Sequence, residues 1–418
     1  MSIGYACLTV GVHNAGFKSC TIKNAGYEKL LGLIEHNLTS LENIIDYNIE
    51  NNINLFRISS DIIPFGSSVV NNIPWWDIFE ERFQIIGEKI KKSNMRVSMH
   101  PGQYTVLNSP KHEVVHRAVE DLIYHNHFLD CLNAGRDSKI ILHIGGVYGD
   151  KKSAIMRFMD NYKLLDENIK NRLVIENDDK SFNVRDVLEA GVQLNIPVVY
   201  DNLHNTANPY DNSSDDFWIK ECSKTWNISD GRQKVHYSQQ NPHKKKGSHS
   251  ETIGINEFME FYKHVGGENL DIMLEVKDKN ISCIKCINST VQHENIKYLE
   301  KEWSRYKYSV LEKSPEVYLK IRQMLKNKNV YDAVGFYNIL EFAMSKKEEK
   351  GHAINSLQHV WGYFKGVATE NEKSIFMKLV DEYMKSETSL QTVKSHLKKL
   401  TIKYRQEYLK NSYYFILS

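Results

Sequence analysis

Six short apolar runs in the first 280 residues each end in a side chain able to bind a metal. In chain order they are Arg96-Val-Ser-Met-His100, Lys139-Ile-Ile-Leu-His143, Leu173-Val-Ile-Glu176, Pro197-Val-Val-Tyr-Asp201, Lys234-Val-His236 and Asp271-Ile-Met-Leu-Glu275. Imidazoles and carboxylates suit Zn²⁺ and Mn²⁺, and the carboxylate share admits Mg²⁺. A lone His at a strand end is more often a hydrogen-bonded core residue; six donors in order point to a shared site. Two further histidines extend the set. His204 lies three residues beyond Asp201 in Asp-Asn-Leu-His, so both can grip one ion. His249, in Lys-Gly-Ser-His-Ser, can fold back over the site, with His243 as its competitor for that position. These are more donors than one ion can use, so two or three metals are expected, Mn²⁺ foremost.

Lys234 and His236 are two apart and face the same way on a strand. If His236 points into the site, Lys234 lies beneath it, where an ammonium beside divalent cations is unfavourable. Reaction with CO₂ would make it an anionic carbamate ligand; the alternative is a strand-starting lysine that snorkels to solvent. Clustered metals generate a hydroxide nucleophile and clamp both oxygens of an in-line phosphoryl displacement. They can equally polarise a sugar carbonyl, which keeps a metal-dependent sugar isomerase as the rival reading. A non-catalytic damage-binding module, the third reading, would not need the cluster. The loop His100-Pro-Gly-Gln-Tyr104 puts an amide, Gln103, beside an aromatic, Tyr104, which suits a wedge into a base stack. Tyr104 as a structural loop anchor is at least as common. His143-Ile-Gly-Gly-Val-Tyr-Gly-Asp-Lys-Lys152 offers glycine backbone and two lysines for phosphates, and Pro242-His-Lys-Lys-Lys246 adds a basic cluster.

What must position these residues is a set of parallel strands. Short Val/Ile-rich runs separated by helix-length stretches read as buried parallel strands. Two earlier runs, residues 3–10 (including Tyr5) and 54–59, bring the count to eight. Helical periodicity over 37–52, 112–134, 154–169, 183–193 and 255–264 supplies crossovers. The expected fold is α/β, a (β/α)₈ barrel over residues 1–285, since only a barrel gathers all strand ends at one face. After about residue 285 the pattern reads as helices only (288–311, 314–328, 330–349, 352–366, 369–386, 389–411), with no strand signal until the terminal Tyr-Tyr-Phe-Ile-Leu. A smaller all-α domain over 310–418 is expected.

Composition fits this division. The 418 residues are 41% hydrophobic and 25% charged, ordinary for a globular protein. No apolar run approaches the ~20 residues of a membrane span, and the N-terminus lacks the regions of a secretory signal. Six scattered cysteines are too few for a disulfide framework, and Cys283-x-x-Cys286 has no second pair to close a zinc site. A cytoplasmic monomer with no membrane partner and no small-molecule cofactor is expected. The net charge of +2 hides an asymmetry: residues 281–418 carry 23 Lys and Arg against 15 Asp and Glu, a balance of +8, and the first 280 carry 31 against 37, a balance of −6. An acidic barrel suits cations; a basic tail suits a polyanion or is an ordinary solvated helical surface.

Gly4-Tyr5-Ala-Cys7, Leu55-Phe-Arg-Ile-Ser59, Ser98-Met-His-Pro-Gly-Gln-Tyr104, His143-Ile-Gly-Gly-Val-Tyr-Gly149 and Glu176-Asn-Asp-Asp179, with Asp201-Asn-Leu-His204, Lys234-Val-His236, Ser248-His249 and Glu275-Val-Lys277, closely resemble the ultraviolet-damage DNA endonuclease family. The match runs in order over about the first 280 residues. That family is similar to the endonuclease IV type of abasic-site nuclease in fold and metal site. The resemblance implies a TIM barrel with three divalent metals that repairs damaged double-stranded DNA by excision, incising directly 5′ of a photoproduct and leaving a 3′-hydroxyl. It implies His100, His143, Glu176, Asp201, His204, His236, His249 and Glu275 as metal ligands, with Glu176, Glu275 and a carboxylated Lys234 catalytic. It implies that Gln103 and Tyr104 probe the lesion and that Tyr5 joins the DNA site. One departure concerns the damaged strand: some members follow Gly-Tyr-x-Cys with Glu-Asn, whereas Cys7 here runs into Leu8-Thr-Val-Gly. The C-terminal Asn355-Ser-Leu-Gln-His-Val-Trp-Gly-Tyr-Phe364 and Tyr408-Leu-Lys-Asn-Ser-Tyr-Tyr-Phe415 resemble the helical YbgA-type domain, which brings no activity with it.

Overall fold

A strand buried on both faces shows no polar side, so its sequence is a continuous apolar run rather than an alternation. Eight such runs close in sequence order into an all-parallel barrel in the computed structural model, which describes residues 1–291 and 295–417. They are β1 (Ser2–Ala6), β2 (Leu55–Ile58), β3 (Arg96–Met99), β4 (Lys139–His143), β5 (Leu173–Glu176), β6 (Val198–Asp201), β7 (Lys234–Tyr237) and β8 (Asp271–Leu274), with β8 pairing back onto β1. His100 and Glu275 stand one residue beyond β3 and β8. The first run is shorter than expected, because Cys7 takes a positive φ of 69° and ends the strand.

Side chains alternate between the barrel interior and the helical layer. Ala6, Leu55 and Met273 meet inside, as do Ile141, Val174 and Val199. Where β1 and β2 approach, a Cβ on Gly4 would stand 2.0 Å from the Leu55 carbonyl oxygen, so only glycine fits. The outward residues pack on helices: Tyr237 meets Phe258 and Phe261 at ring distances of 5.3 and 4.5 Å. The crossovers include Tyr27–Glu50, His112–Cys131, Lys151–Lys163 and Val184–Leu194, the last opened by a capping box of Asn183 and Asp186. Glu80–Lys92, between β2 and β3, is a crossover that the sequence periodicity did not bring out.

The barrel floor is ionic. Arg96 donates to the carbonyls of Asp137, Arg232 and Asp230 at 2.5–2.8 Å and pairs with Asp271 at 3.0 Å. Lys139 pairs with Asp230 at 2.5 Å. Removing one partner from such a buried pair leaves an uncompensated charge. Asp271→Ala is therefore expected to cost about 3–5 kcal/mol in a denaturant melt, with Arg96 keeping only its carbonyl partners.

A second compact unit comprises Gly254–Asn256 and the chain from Lys285 onward. It is helical: Lys297–Lys313, Pro315–Met324, Ala333–Met344, Lys350–Trp361, Glu370–Met384 and Leu390–Lys403. The expected helix over 288–311 crosses residues 292–294, which lie outside the described residues. Its core gathers Leu357, Val360, Trp361, Phe364, Phe376, Val393 and Leu397, with Trp361 stacked on Phe376 at 4.5 Å. The terminal aromatic run forms a 3₁₀ turn, Tyr413–Phe415, rather than a strand.

Candidate metal centre

Because successive inward positions are two residues apart, the last inward residue of each strand stands at the mouth. Glu176, at the end of β5 and buried, is the hub. Its Oε1 lies 2.8 Å from His236 Nδ1 and 3.6 Å from His204 Nδ1; its Oε2 lies 3.1 Å from His100 Nε2 and 3.6 Å from His143 Nε2. Glu275 Oε1 is 3.3 Å from His236 Nδ1, and Oε2 is 3.6 Å from His249 Nε2. Asp201 Oδ1 accepts the His204 backbone N–H at 2.7 Å. Two donor groups emerge, His100–His143–Glu176 and Glu176–Asp201–His236, each with its donor atoms within 4.8 Å of one another and sharing Glu176. His249 rather than His243 reaches the site; His243 is exposed in its loop.

The donor set fits divalent ions. His100 Nδ1 faces the Pro101 carbonyl at 3.0 Å and His204 Nδ1 the Asn177 carbonyl at 2.9 Å. A carbonyl only accepts, so in the neutral rings both Nδ1 atoms carry the proton and both Nε2 lone pairs are free. That puts the His100 Nε2 lone pair against the Glu176 carboxylate, two acceptors that repel unless a proton or cation stands between them. Asp201 Oδ2, His236 Nε2 and His143 Nδ1 are buried without a hydrogen-bond partner among the described residues.

The electrostatics agree. Burial alone would raise Glu176, but His236, His143 and His100 overcome it and hold the carboxyl well below the usual range. Burial, with Glu176 and Glu275 adding to it against His204, pushes Asp201 up to about 6. His204 rises to about 9 as Asp201, Glu176 and Glu275 outweigh its burial. The rise of His204 reflects the negative charge of Asp201, Glu176 and Glu275 around it, a charge that also draws cations.

Lys234 heads β7 beneath His236, wholly buried, its Nζ without a hydrogen-bond partner among the described residues. It does not snorkel to solvent. Burial drives its amine far below the normal range, and Arg96 and Arg57 push the same way against Asp271 and Asp137. Gln103 and Tyr104 are exposed, Tyr104 by 83%, on the wall of a cavity of about 1200 Å³ that His143 and His204 also line. Gly145, at φ 116°, shapes the same wall.

Tyr5 goes elsewhere. Gly4 and Ala6 take the inward positions of β1, so Tyr5 faces the helical layer, fully buried, its hydroxyl 2.6 Å from Thr9 and 2.8 Å from Asn48. It cannot touch DNA from there. Lys151, expected to meet phosphate, pairs with Asp186 at 2.6 Å. Arg57, without an expected role, points inward from β2 and pairs with Glu275, which holds that carboxylate ionised. A charged residue inside an apolar strand was the available signal. Asn177 was also passed over; it locks β5 to β6 by exchanging hydrogen bonds with the Asp201 backbone at 2.9 and 3.0 Å.

A closed parallel barrel with acid, imidazole and guanidinium groups converging at its C-terminal rim is the frame of a barrel enzyme. Comparison with known proteins narrows this. Residues 1–307 match the family described as UV-endonuclease UvdE, and 307–417 match a family described as a protein of unknown function, DUF1722. The chain is 44% identical over 391 residues to the UV DNA damage endonuclease of Clostridium perfringens, covering 91% of this chain and 92% of that one. The Bacillus cereus (strain G9842) UV DNA damage endonuclease is 33% identical over 65% of this chain and 86% of its own. The crystal structure of SacUVDE, 37% identical, superposes with a TM-score of 0.64 over 69% of this chain and 96% of that one. The chain belongs to the UV-endonuclease family. It is a DNA-repair endonuclease.

Proposed function

We propose that the barrel hydrolyses the phosphodiester immediately 5′ of a UV photoproduct in duplex DNA, leaving a 3′-hydroxyl, with two or three divalent ions at the mouth. The observation that carries this reading is Glu176, a buried carboxylate enclosed by four imidazoles, beside Asp201 and His236 atoms that no described residue satisfies. His100, His143, Glu176, Asp201, His204, His236, His249 and Glu275 would hold the ions. Bound there, divalent cations supply positive charge to the attacking water and the leaving oxygen of an in-line displacement. Glu176 and Glu275 orient the imidazoles, and Arg57 keeps Glu275 ionised. Lys234 would carry a carbamate: its buried, unpaired nitrogen attacks CO₂ and releases one proton, turning an unsatisfied amine into an anionic ligand below the site. Breaking the P–O3′ bond leaves the 3′-hydroxyl and a 5′-phosphate.

A sugar isomerase would need a small closed pocket, whereas Gln103 and Tyr104 stand exposed at a wide cavity. The test is incubation of irradiated and intact duplex with the protein and Mn²⁺. A nick only in the irradiated strand, extendable by a polymerase, is expected; two intact duplexes would overturn the reading. Abasic duplex belongs in the same assay, as the further lesion to examine.

Gln103 and Tyr104 are proposed to wedge into the stack at the lesion, offsetting an unstacking cost of a few kcal/mol. Gln103→Ala with Tyr104→Ala should reduce incision of damaged duplex about 10- to 100-fold with metal content unchanged. Equal rates in variant and wild type would return Tyr104 to a loop anchor.

A further inference from the structure

The second unit carries a strip of partly buried rings and cations at the edge of its core, on which Tyr318 and Tyr363 pack while Arg322 and Tyr408 are exposed. Trp303 and Lys307 lie four apart on the helix Lys297–Lys313, and Tyr318 and Arg322 four apart on Pro315–Met324, so each pair shares a helix face. Trp303 and Tyr318 meet at 5.3 Å, with the Arg322 guanidinium 5.7 Å over Tyr318. Lys307 Nζ lies between two rings, 4.7 Å from Tyr308 and 4.5 Å from Tyr408. Tyr408, 37% exposed, stacks on Tyr363 at 5.9 Å with planes 6° apart. Its hydroxyl is anchored on the Ser304 carbonyl at 3.0 Å, which fixes the ring's orientation.

The strip is electrostatically incomplete. Neither Lys307 nor Arg322 has an acidic partner within ion-pair distance among the described residues. Burial lowers the Lys307 amine, and Arg322 lowers it further. Two cations that repel each other, held over aromatic faces in a stretch of chain with a balance of +8, call for an anion. The flanking rings say which kind. An acidic peptide would answer the charges and leave the rings unused, and an anionic lipid surface favours protruding lysines above apolar tips. A nucleic acid strand repeats one phosphate and one flat base per unit, and only an unpaired strand frees the base faces.

We propose that Trp303, Lys307, Tyr318, Arg322, Tyr363 and Tyr408 form a surface that binds an unpaired DNA strand, with phosphates on Lys307 and Arg322 and bases packed on Trp303 and against the exposed edge of Tyr408. This role is independent of the reaction assigned to the barrel: the helical unit holds single-stranded DNA whether or not the barrel cuts.

The experiment is fluorescence-anisotropy titration of the full chain with a labelled oligothymidylate over a range of salt. In a Lys307→Gln/Arg322→Gln chain, which keeps the stem lengths roughly intact, the slope of log affinity against log salt should fall by about 0.7 for each phosphate no longer neutralised. In a Trp303→Leu/Tyr408→Leu chain the affinity should drop about 5- to 100-fold at every salt with the slope retained. Incision of irradiated duplex, read alongside, reports on the barrel separately. Affinities and slopes equal to wild type in both variants would overturn the proposal, as would variants that lose binding to phosphatidylserine vesicles while keeping the oligonucleotide. If the leucine variant melts early, the slope of the glutamine variant decides alone.

Discussion

A Glu176→Gln chain is expected to lose incision by at least about 10²–10³-fold, the scale of removing one preorganised electrostatic group, while its melting temperature stays within a few degrees of wild type. The substitution keeps the shape and changes one property. Glu176 belongs to both donor groups and faces four imidazoles. A neutral amide cannot attract two ions at once, and its NH₂ would point a donor where a lone pair is needed. Metal analysis gives the second readout: the wild type should hold more than one ion per chain and the variant fewer. A wild type with a single ion would contradict the cluster, and a variant that nicks at the wild-type rate would remove Glu176 from the chemistry. His143→Ala and Glu275→Gln should behave alike, the latter also leaving Arg57 buried without its carboxylate.

Lys234→Met should separate stability from activity. A buried amine with no partner gives the fold little, and replacing buried polar or ionic groups by apolar residues of similar volume is often neutral or stabilising. The variant should melt at or above the wild-type temperature and still lose incision by at least about 10²-fold if a carbamate serves the metals. Native mass analysis under CO₂ should show one added CO₂ on the wild type and none on the variant. Retained cutting in the methionine chain would reduce Lys234 to a floor residue beside Arg96.

The barrel was legible because burial on both faces writes each strand as a Val/Ile run, and because polar strand ends punctuate those runs. His204 was legible through Asp-Asn-Leu-His, where one helical turn brings two side chains to one point; its backbone N–H caps onto Asp201. Tyr5 was misplaced for an equally local reason. Its motif drew attention to the aromatic, yet the small residues on either side, Gly4 and Ala6, are the ones that fit inside a barrel. Applying the period of two to β1 would have turned Tyr5 outward. Arg57 needed a partner 218 residues away, which no local pattern supplies. The pairing of Lys151 with Asp186 was hidden for the same reason. The division between the two units was less sharply written, since helix follows helix without a glycine- or serine-rich break.

The donors at the mouth come from β4 to β7 and from the segments just past β3, β6, β7 and β8, and the Arg57–Glu275 pair joins β2 to the residue after β8. Synthesis is vectorial, so a nascent chain exposes His100 long before Glu275 leaves the ribosome. The donor groups His100–His143–Glu176 and Glu176–Asp201–His236 draw only on strands up to β7, whereas Glu275 and its pairing with Arg57 wait for β8. Sealing of the eighth strand against the first adds the Glu275 carboxylate to the mouth and so deepens the negative well in which ions are proposed to sit. If the proposed ions bind, a chain truncated before residue 275 would hold them with one carboxylate fewer, and a full-length chain would be drawn toward closure by them.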